Sequence, residues 1–254
     1  MSKKRDWFVE WLDCKTTAVE GHSLILIDEQ SKVPSDIIDL LVQTVRTHFV
    51  DPKITAKRLV ELGAPKTAAL LSEHLPTNKR ARSGDLGEIL ATEIAEKQIA
   101  YSVPIRRLRW KDGRNMALRG DDIVGLTRDS KKKLQFLKGE SKSRAALASS
   151  AIDEAAEALG RNRGRPSRHS VLFVAERLRE QDQDKLALEL EQAVLVSFSG
   201  HTVEHMLFTL TGSNPKTMLS DHLVACAKKK RLRHAIGFRI KDHAGFIGKL
   251  FGRL

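Results

Sequence analysis

Cysteine is scarce: the 254 residues hold only Cys14 and Cys226. They form no CxxC pair and no metal-ligand spacing. That argues against a disulfide framework and a thiolate metal site, and it makes a reduced, cytoplasmic setting the expectation. Long apolar runs are missing too. None approaches the roughly 20 residues that span a bilayer, so no membrane association is expected. The start, Met1-Ser2-Lys3-Lys4-Arg5-Asp6-Trp7, has the charges of a signal peptide without the apolar segment that should follow them. Trp7, Trp11 and Trp110 are too scattered to read as a platform for stacked bases, and no internal repeat stands out.

Positive charge is abundant. The net charge is +12 and the pI about 9.8, on a chain that is otherwise 41% apolar and 30% charged. Ordinary apolar content at this length implies a real hydrophobic core. The excess of Lys and Arg points to a polyanionic partner, most simply nucleic acid. It is concentrated at the end, where Lys228 to Leu254 carries nine Lys or Arg against one acid, Asp242. A second cluster, Arg161, Arg163, Arg165 and Arg168, surrounds Gly164 and Pro166. These arginines are the first candidates for holding a DNA backbone. Lys228, Lys229, Lys230 and Arg231 are the next.

Residues 1–80 read as an accessory region. A short strand is expected over Ser23–Ile27 and a helix from Ser35 or Asp36 to Phe49. Two more helices are expected over Ile54–Leu62 and Lys66–Leu75. Residues 77–84 are polar and basic and read as a linker. A core is expected over 81–180. It opens with a helix from Gly84 to Gln98, with Leu86, Leu90 and Ile94 on one side and Glu88, Ala91 and Ala95 on another. A three-strand antiparallel meander follows, formed from Tyr101–Trp110, Met116–Leu126 and Leu134–Lys142. Then come a helix over Ser143–Leu159 and a strand at Val171–Val174. Residues 181–254 read as a basic addition, with a strand-like piece at Val194–Val196.

The acid-x-Lys pattern occurs four times, at Asp13-Cys14-Lys15, Asp51-Pro52-Lys53, Asp129-Ser130-Lys131 and Glu140-Ser141-Lys142. Asp13 reads as helical, Asp51 precedes a proline, and Asp129 sits in a turn. Only Glu140 ends an apolar strand, with an acid-bearing strand before it and an acid-bearing helix before that. Side chains alternate along a strand, so Glu140 and Lys142 share a face. Asp122, eighteen residues upstream, enters the run Ile123-Val124-Gly125-Leu126, with Asp121 as its alternative. Phosphodiester hydrolysis needs an aimed water and neutralised phosphate oxygens. Mg²⁺ supplies both from a few oxygen ligands. Asp122 and Glu140 are the expected direct ligands, the Ser141 carbonyl and Glu88 the further ones, and Lys142 the orienting cation. Mn²⁺ would serve in place of Mg²⁺.

The order helix, three strands, helix, strand, with Glu88, Asp122 and Glu140-Ser141-Lys142, resembles the PD-(D/E)xK nuclease superfamily over about residues 84–176. Gly120, not proline, precedes the acids. Arg119-Gly-Asp-Asp-Ile-Val-Gly125 and Leu137-Lys-Gly-Glu-Ser-Lys142, with the alanine-rich helix behind them, are similar to the HamA family of the Hachiman anti-phage system across most of the chain. The resemblance implies a restriction-endonuclease-like α/β core, Mg²⁺-dependent DNA cleavage, and restraint by a superfamily-2 helicase partner, HamB. The rival expectation is a non-catalytic nucleic-acid- or partner-binding subunit on a degenerate nuclease fold. A separate match, His201-Thr-Val-Glu204-His205, fits the H-x-x-E-H zinc pattern if the segment is helical, but no third ligand is placed for it.

Overall fold

The computed structural model describes residues 5–254. Its organising element is a mixed six-stranded sheet in the order β1-β2-β6-β5-β4-β3. The strands are β1 (Leu12–Val19), β2 (His22–Glu29), β3 (Ile123–Arg128), β4 (Leu134–Arg144), β5 (Val203–Thr211) and β6 (Arg233–Arg239). β2, β6, β5 and β4 run parallel, while β1 and β3 close the edges as antiparallel hairpin partners.

Helices cover both faces, as parallel strands require. They are α1 (Trp7–Trp11), α2 (Ser35–Phe49), α3 (Pro52–Leu62), α4 (Ala64–Ser72), α5 (Lys79–Gln98), α6 (Ser149–Gly160), α7 (Arg168–Arg179), α8 (Asp184–Leu195), α9 (Lys216–Ala225) and α10 (His243–Phe251). On one face the apolar sides of α1, α2, α5 and α10 meet Ile25, Ile27, Leu137, Phe208 and Phe238. On the other, α7 and α8 pack over Val124, Phe136 and Val203, and α6 and α9 over Leu24, Leu207 and Ala235.

Several expectations need correction. The meander has two strands, not three. Tyr101–Trp110 contributes only a bridge from Ser102 to Leu126 and a 3₁₀ turn at Arg107–Trp110. Val171–Val174 lies inside α7, started by the Ser167 hydroxyl accepting the Ser170 N–H. Val194–Leu195 ends α8. A short apolar run has no period of its own, so strand and buried helix look alike in sequence. The supposed linker at 77–84 is mostly the start of α5, which Asn78 caps by accepting from the Ala81 N–H. The helix expected from Ser143 starts at Ser149, because β4 continues to Arg144. Asp13 is on β1, not a helix.

The largest difference concerns the C-terminal segment. Residues 203–211 and 233–239 form β5 and β6, the middle of the sheet, and β1 and β2 extend it from the N-terminal side. Both central strands are buried almost end to end. A strand buried on both faces loses the apolar–polar alternation, and its unbroken run also satisfies helical spacing.

Candidate active site at the β4 edge

β4 outruns its edge partner. β3 starts at Ile123, paired with Gly139, so Glu140 to Arg144 lie beyond the end of β3. Asp122 sits just before that end, and its Oδ2 accepts the Ser141 N–H at 3.0 Å. One side-chain oxygen thus continues the ladder where the backbone of β3 has left it. N–H and C=O of a strand residue face the same neighbour, so the Ser141 carbonyl is turned to this edge too.

The same strand offers its two faces to two helices. Gly139, Ser141 and Ser143 face α5. Gly87 is the contact: a Cβ there would lie 2.9 Å from the Ser141 Oγ and 3.2 Å from the Ser143 Cβ. A glycine inside a helix costs about 1 kcal/mol against alanine, and here it permits the close approach. Glu88 is the next residue; its side chain is largely covered, and its buried Oε2 lacks a hydrogen-bond partner. Glu140 and Lys142 face the opposite side. Lys142 Nζ donates to Glu140 Oε1 at 2.8 Å and is 4.0 Å from Glu154 on α6.

Burial dominates the charge state of all three acids. Burial, then the Asp122 charge, pushes Glu88 well above the ordinary carboxylate range. Burial also raises Asp122, against the Ser141 N–H and the charges of Arg107 and Lys142. Burial, then Asp122, pushes Glu140 up to about 7, although Lys142 opposes it. Carboxylates gathered out of water repel one another and favour a cation or a proton.

Sequence reasoning missed three contributors. Arg107 donates to the carbonyls of Asp121 and Arg119, clamping the loop that delivers Asp122, and its Nε lies 4.0 Å from Glu88 Oε2. Asp85, one turn before Glu88, forms a buried ion pair with Lys111 at 2.7 Å. Burial raises Asp85 to about 6 despite that lysine. The spacing of Asp85 and Glu88 on one helix was a usable signal. Nothing local singles out Arg107 or Lys111 among so many basic residues.

The alternative acid, Asp121, is otherwise engaged. It accepts the Ser167 N–H at 2.6 Å and faces Lys138 at 3.4 Å, while its own N–H donates to Ser170 Oγ. It ties the loop to the start of α7.

The two basic clusters meet. Arg161, Arg163 and Arg165 lie on the turn after α6, where Asn162 and Arg163 adopt left-handed backbone, and Arg168 opens α7. Arg231 donates to the Gly164 carbonyl at 2.7 Å, which brings the Lys228–Arg231 run against this turn. Lys138, two residues before Glu140 on the same face of β4, donates to the Arg161 carbonyl. The patch therefore adjoins the acids on the α6 side.

The H-x-x-E-H segment is not a metal motif in this fold. Residues 203–205 are strand, so Glu204 and His205 face opposite ways. His205 is held against the Gly164 carbonyl at 2.8 Å, and burial lowers it to about 3. Glu204 pairs with His234 at 2.9 Å, and His201 sits on the Leu134 carbonyl. Among the described residues, no three His, Cys, Asp or Glu side chains converge tightly enough to enclose an ion by themselves. Mg²⁺ asks for less, since it keeps most of its waters and needs one or two carboxylates. Asp122, Glu140 and the Ser141 carbonyl are the oxygens that could hold such an ion, and the Glu88 Oε2 has no hydrogen-bond partner of its own.

An α/β protein with a half-buried acid–lysine pair at an overhanging strand edge is the class that these features define. The family model HamA matches residues 6–254, and the chain belongs to the HamA family. It is also 24% identical, over 193 residues, to the Hachiman protein HamA of Bacillus cereus. That similarity covers 70% of this chain and 66% of the relative, just under two thirds of its length. No helix among the described residues is long and apolar enough to cross a membrane.

Proposed function

We propose that this protein is a metal-dependent DNA endonuclease with a restriction-endonuclease-like core, acting as an effector in Hachiman anti-phage defence under restraint by the helicase HamB. One observation carries the reading: Asp122 completes the ladder at Ser141, which sets a second acid beside Glu140 and Lys142. Membership of the HamA family and the printed name of the Bacillus relative support the defence role.

Asp122, Glu140 and the Ser141 carbonyl would hold Mg²⁺, with Glu88 reached through water. The bound ion supplies charge neutralisation at the phosphate and a more acidic water. The chain's own residues do the rest. Asp122 is fixed by the Ser141 N–H and by Arg107, which holds its loop. Lys142 stands against Glu140, placed to orient a water or to offset charge on the phosphate. The Arg161–Arg165 turn and Lys228–Arg231 hold the DNA backbone beside them.

The test is supercoiled plasmid incubated with the protein, its helicase partner, Mg²⁺ and ATP. The expected result is nicking or degradation that stops with EDTA and with Glu140→Ala. Cleavage that persists unchanged in Glu140→Ala refutes the site. DNA binding without cleavage under every condition favours a binding subunit.

A further inference from the structure

Next to the acids the chain lines an open cavity of about 370 Å³. This is within the usual range for a pocket that takes a small ligand. Asp122 and Arg107 line it as well as the candidate site, so the two are continuous. Val103, Ile105 and Val124 make a buried apolar floor. The wall is aromatic. Trp110 and Phe173 meet edge to face, with centroids 5.9 Å apart and an interplanar angle of 87°. Arg177, one turn along α7 from Phe173, places its guanidinium 5.7 Å and 5.5 Å from the two ring centroids. The rings are therefore held in position. Trp110, one of three tryptophans scattered in sequence, is the one brought to the site, whereas Trp7 and Trp11 are buried in the main core.

Backbone phosphates are recognised by cations, N–H groups and hydroxyls. A cavity with an apolar floor and an aromatic wall adds nothing to that. It suits a flat ring with an apolar face and a polar edge. Exposed Arg119 and His169 at its lining provide the polar side. Asp122 lines this opening, so a strand held at Asp122 would pass beside it. A base stacked in intact duplex cannot enter, because both of its faces are covered.

We propose that this cavity takes one unstacked nucleobase of the strand held at Asp122 and Glu140, so that single-stranded or locally opened DNA is preferred to intact duplex. The inference rests on the nuclease reading for the strand's position, and it adds the form of the substrate.

The test uses the full chain carrying Glu140→Gln, with Mg²⁺ present, and fluorescently labelled 20-mers as single strand and as duplex. Anisotropy should show single strand bound at least about tenfold tighter. Ala117→Trp, which fills the cavity from its rim, and Phe173→Ala, which removes part of its wall, should each weaken single-strand binding about tenfold and leave duplex binding unchanged. A single strand containing 5-iodouracil should crosslink to Trp110 or Phe173 on irradiation, as mapped by mass spectrometry. Equal affinity for the two DNA forms overturns the proposal. So do crosslinks confined to the 161–168 turn, or none in the cavity because a protein partner's side chain fills it instead. Cleavage by the protein without Glu140→Gln separates the two readings. Mg²⁺-dependent cutting that ignores Ala117→Trp sinks the base pocket alone. Cavity crosslinks without any cutting sink the nuclease reading alone.

Discussion

Two edges of one sheet carry the same three-residue pattern. β1 has Asp13-Cys14-Lys15 and β4 has Glu140-Ser141-Lys142. Each strand sets its acid and lysine on one face. At β1 the ions are 3.3 Å apart, with side chains 52% and 77% exposed. At β4 they are 2.8 Å apart, with side chains 15% and 17% exposed. The exposed pair sits in water and is worth little. The covered pair lies beside Asp122, whose charge raises Glu140 on one face of the sheet and Glu88 on the other. The pattern alone is therefore not the site. Its chemistry comes from what is packed over it.

The sharpest way to break this comparison is to delete both lysines. Lys142→Ala should lower plasmid cleavage by at least about 10²-fold, the usual loss on removing a preorganised electrostatic group. Lys15→Ala should leave the rate within about twofold, since an exposed pair contributes at most about 1 kcal/mol. Equal effects would show that burial is not what distinguishes the two edges.

The pH response comes next in size. Glu140 is raised from its ordinary 4.5 to about 7 in the folded, metal-free protein. A carboxyl with a raised folded pKa favours the fold while protonated. That contribution is present below about pH 4.5 and is lost as pH rises through 7. Glu140→Gln removes the dependence. The melting temperature of Glu140→Gln, measured with EDTA against the parent, should gain on it between pH 4.5 and 7 and then level off. The gain should correspond to at most about 3 kcal/mol. A difference that does not change over this range would refute the burial argument.

The smallest expected effect tests the packing that creates the burial. Gly87→Ala drives a methyl group to within 2.9 Å of Ser141 Oγ and should cost about 1–3 kcal/mol in urea unfolding. Gly84→Ala, one turn earlier on α5, meets nothing within 4 Å and should instead add up to about 1 kcal/mol. Destabilisation by both, or by neither, would mean that α5 does not press on β4 as tightly as the geometry requires.

Much of this was legible beforehand. The helical spacing of α2 and the apolar start of β4 carry local periods that neighbours in sequence determine. The acid before β3 and the acid on α5 could be read for the same reason. β5 and β6 were not legible. Strands buried on both faces lose their alternation, and the basic run Lys228–Arg231 directly before β6 masks its short apolar core. The Val171–Val174 run misled because four apolar residues fit either a strand or a helix. Arg107, Lys111 and Trp110 were invisible as site residues, since each reaches the acids or the cavity from a 3₁₀ turn and loop with no periodic signal.

By itself, the order of residues determined that Glu140 and Lys142 share a face, that Ser141 points the other way, and that Glu88 and Asp122 precede them on separate elements. These are consequences of strand and helix geometry over a few residues. Only the tertiary structure decided which acid-x-Lys pair leaves water. β3 stops one residue short of Glu140, Asp122 bridges the gap, and Gly87 lets α5 close over Ser141. Desolvation is a property of everything packed around a charge, and those groups come from residues 85 to 154, far apart along the chain.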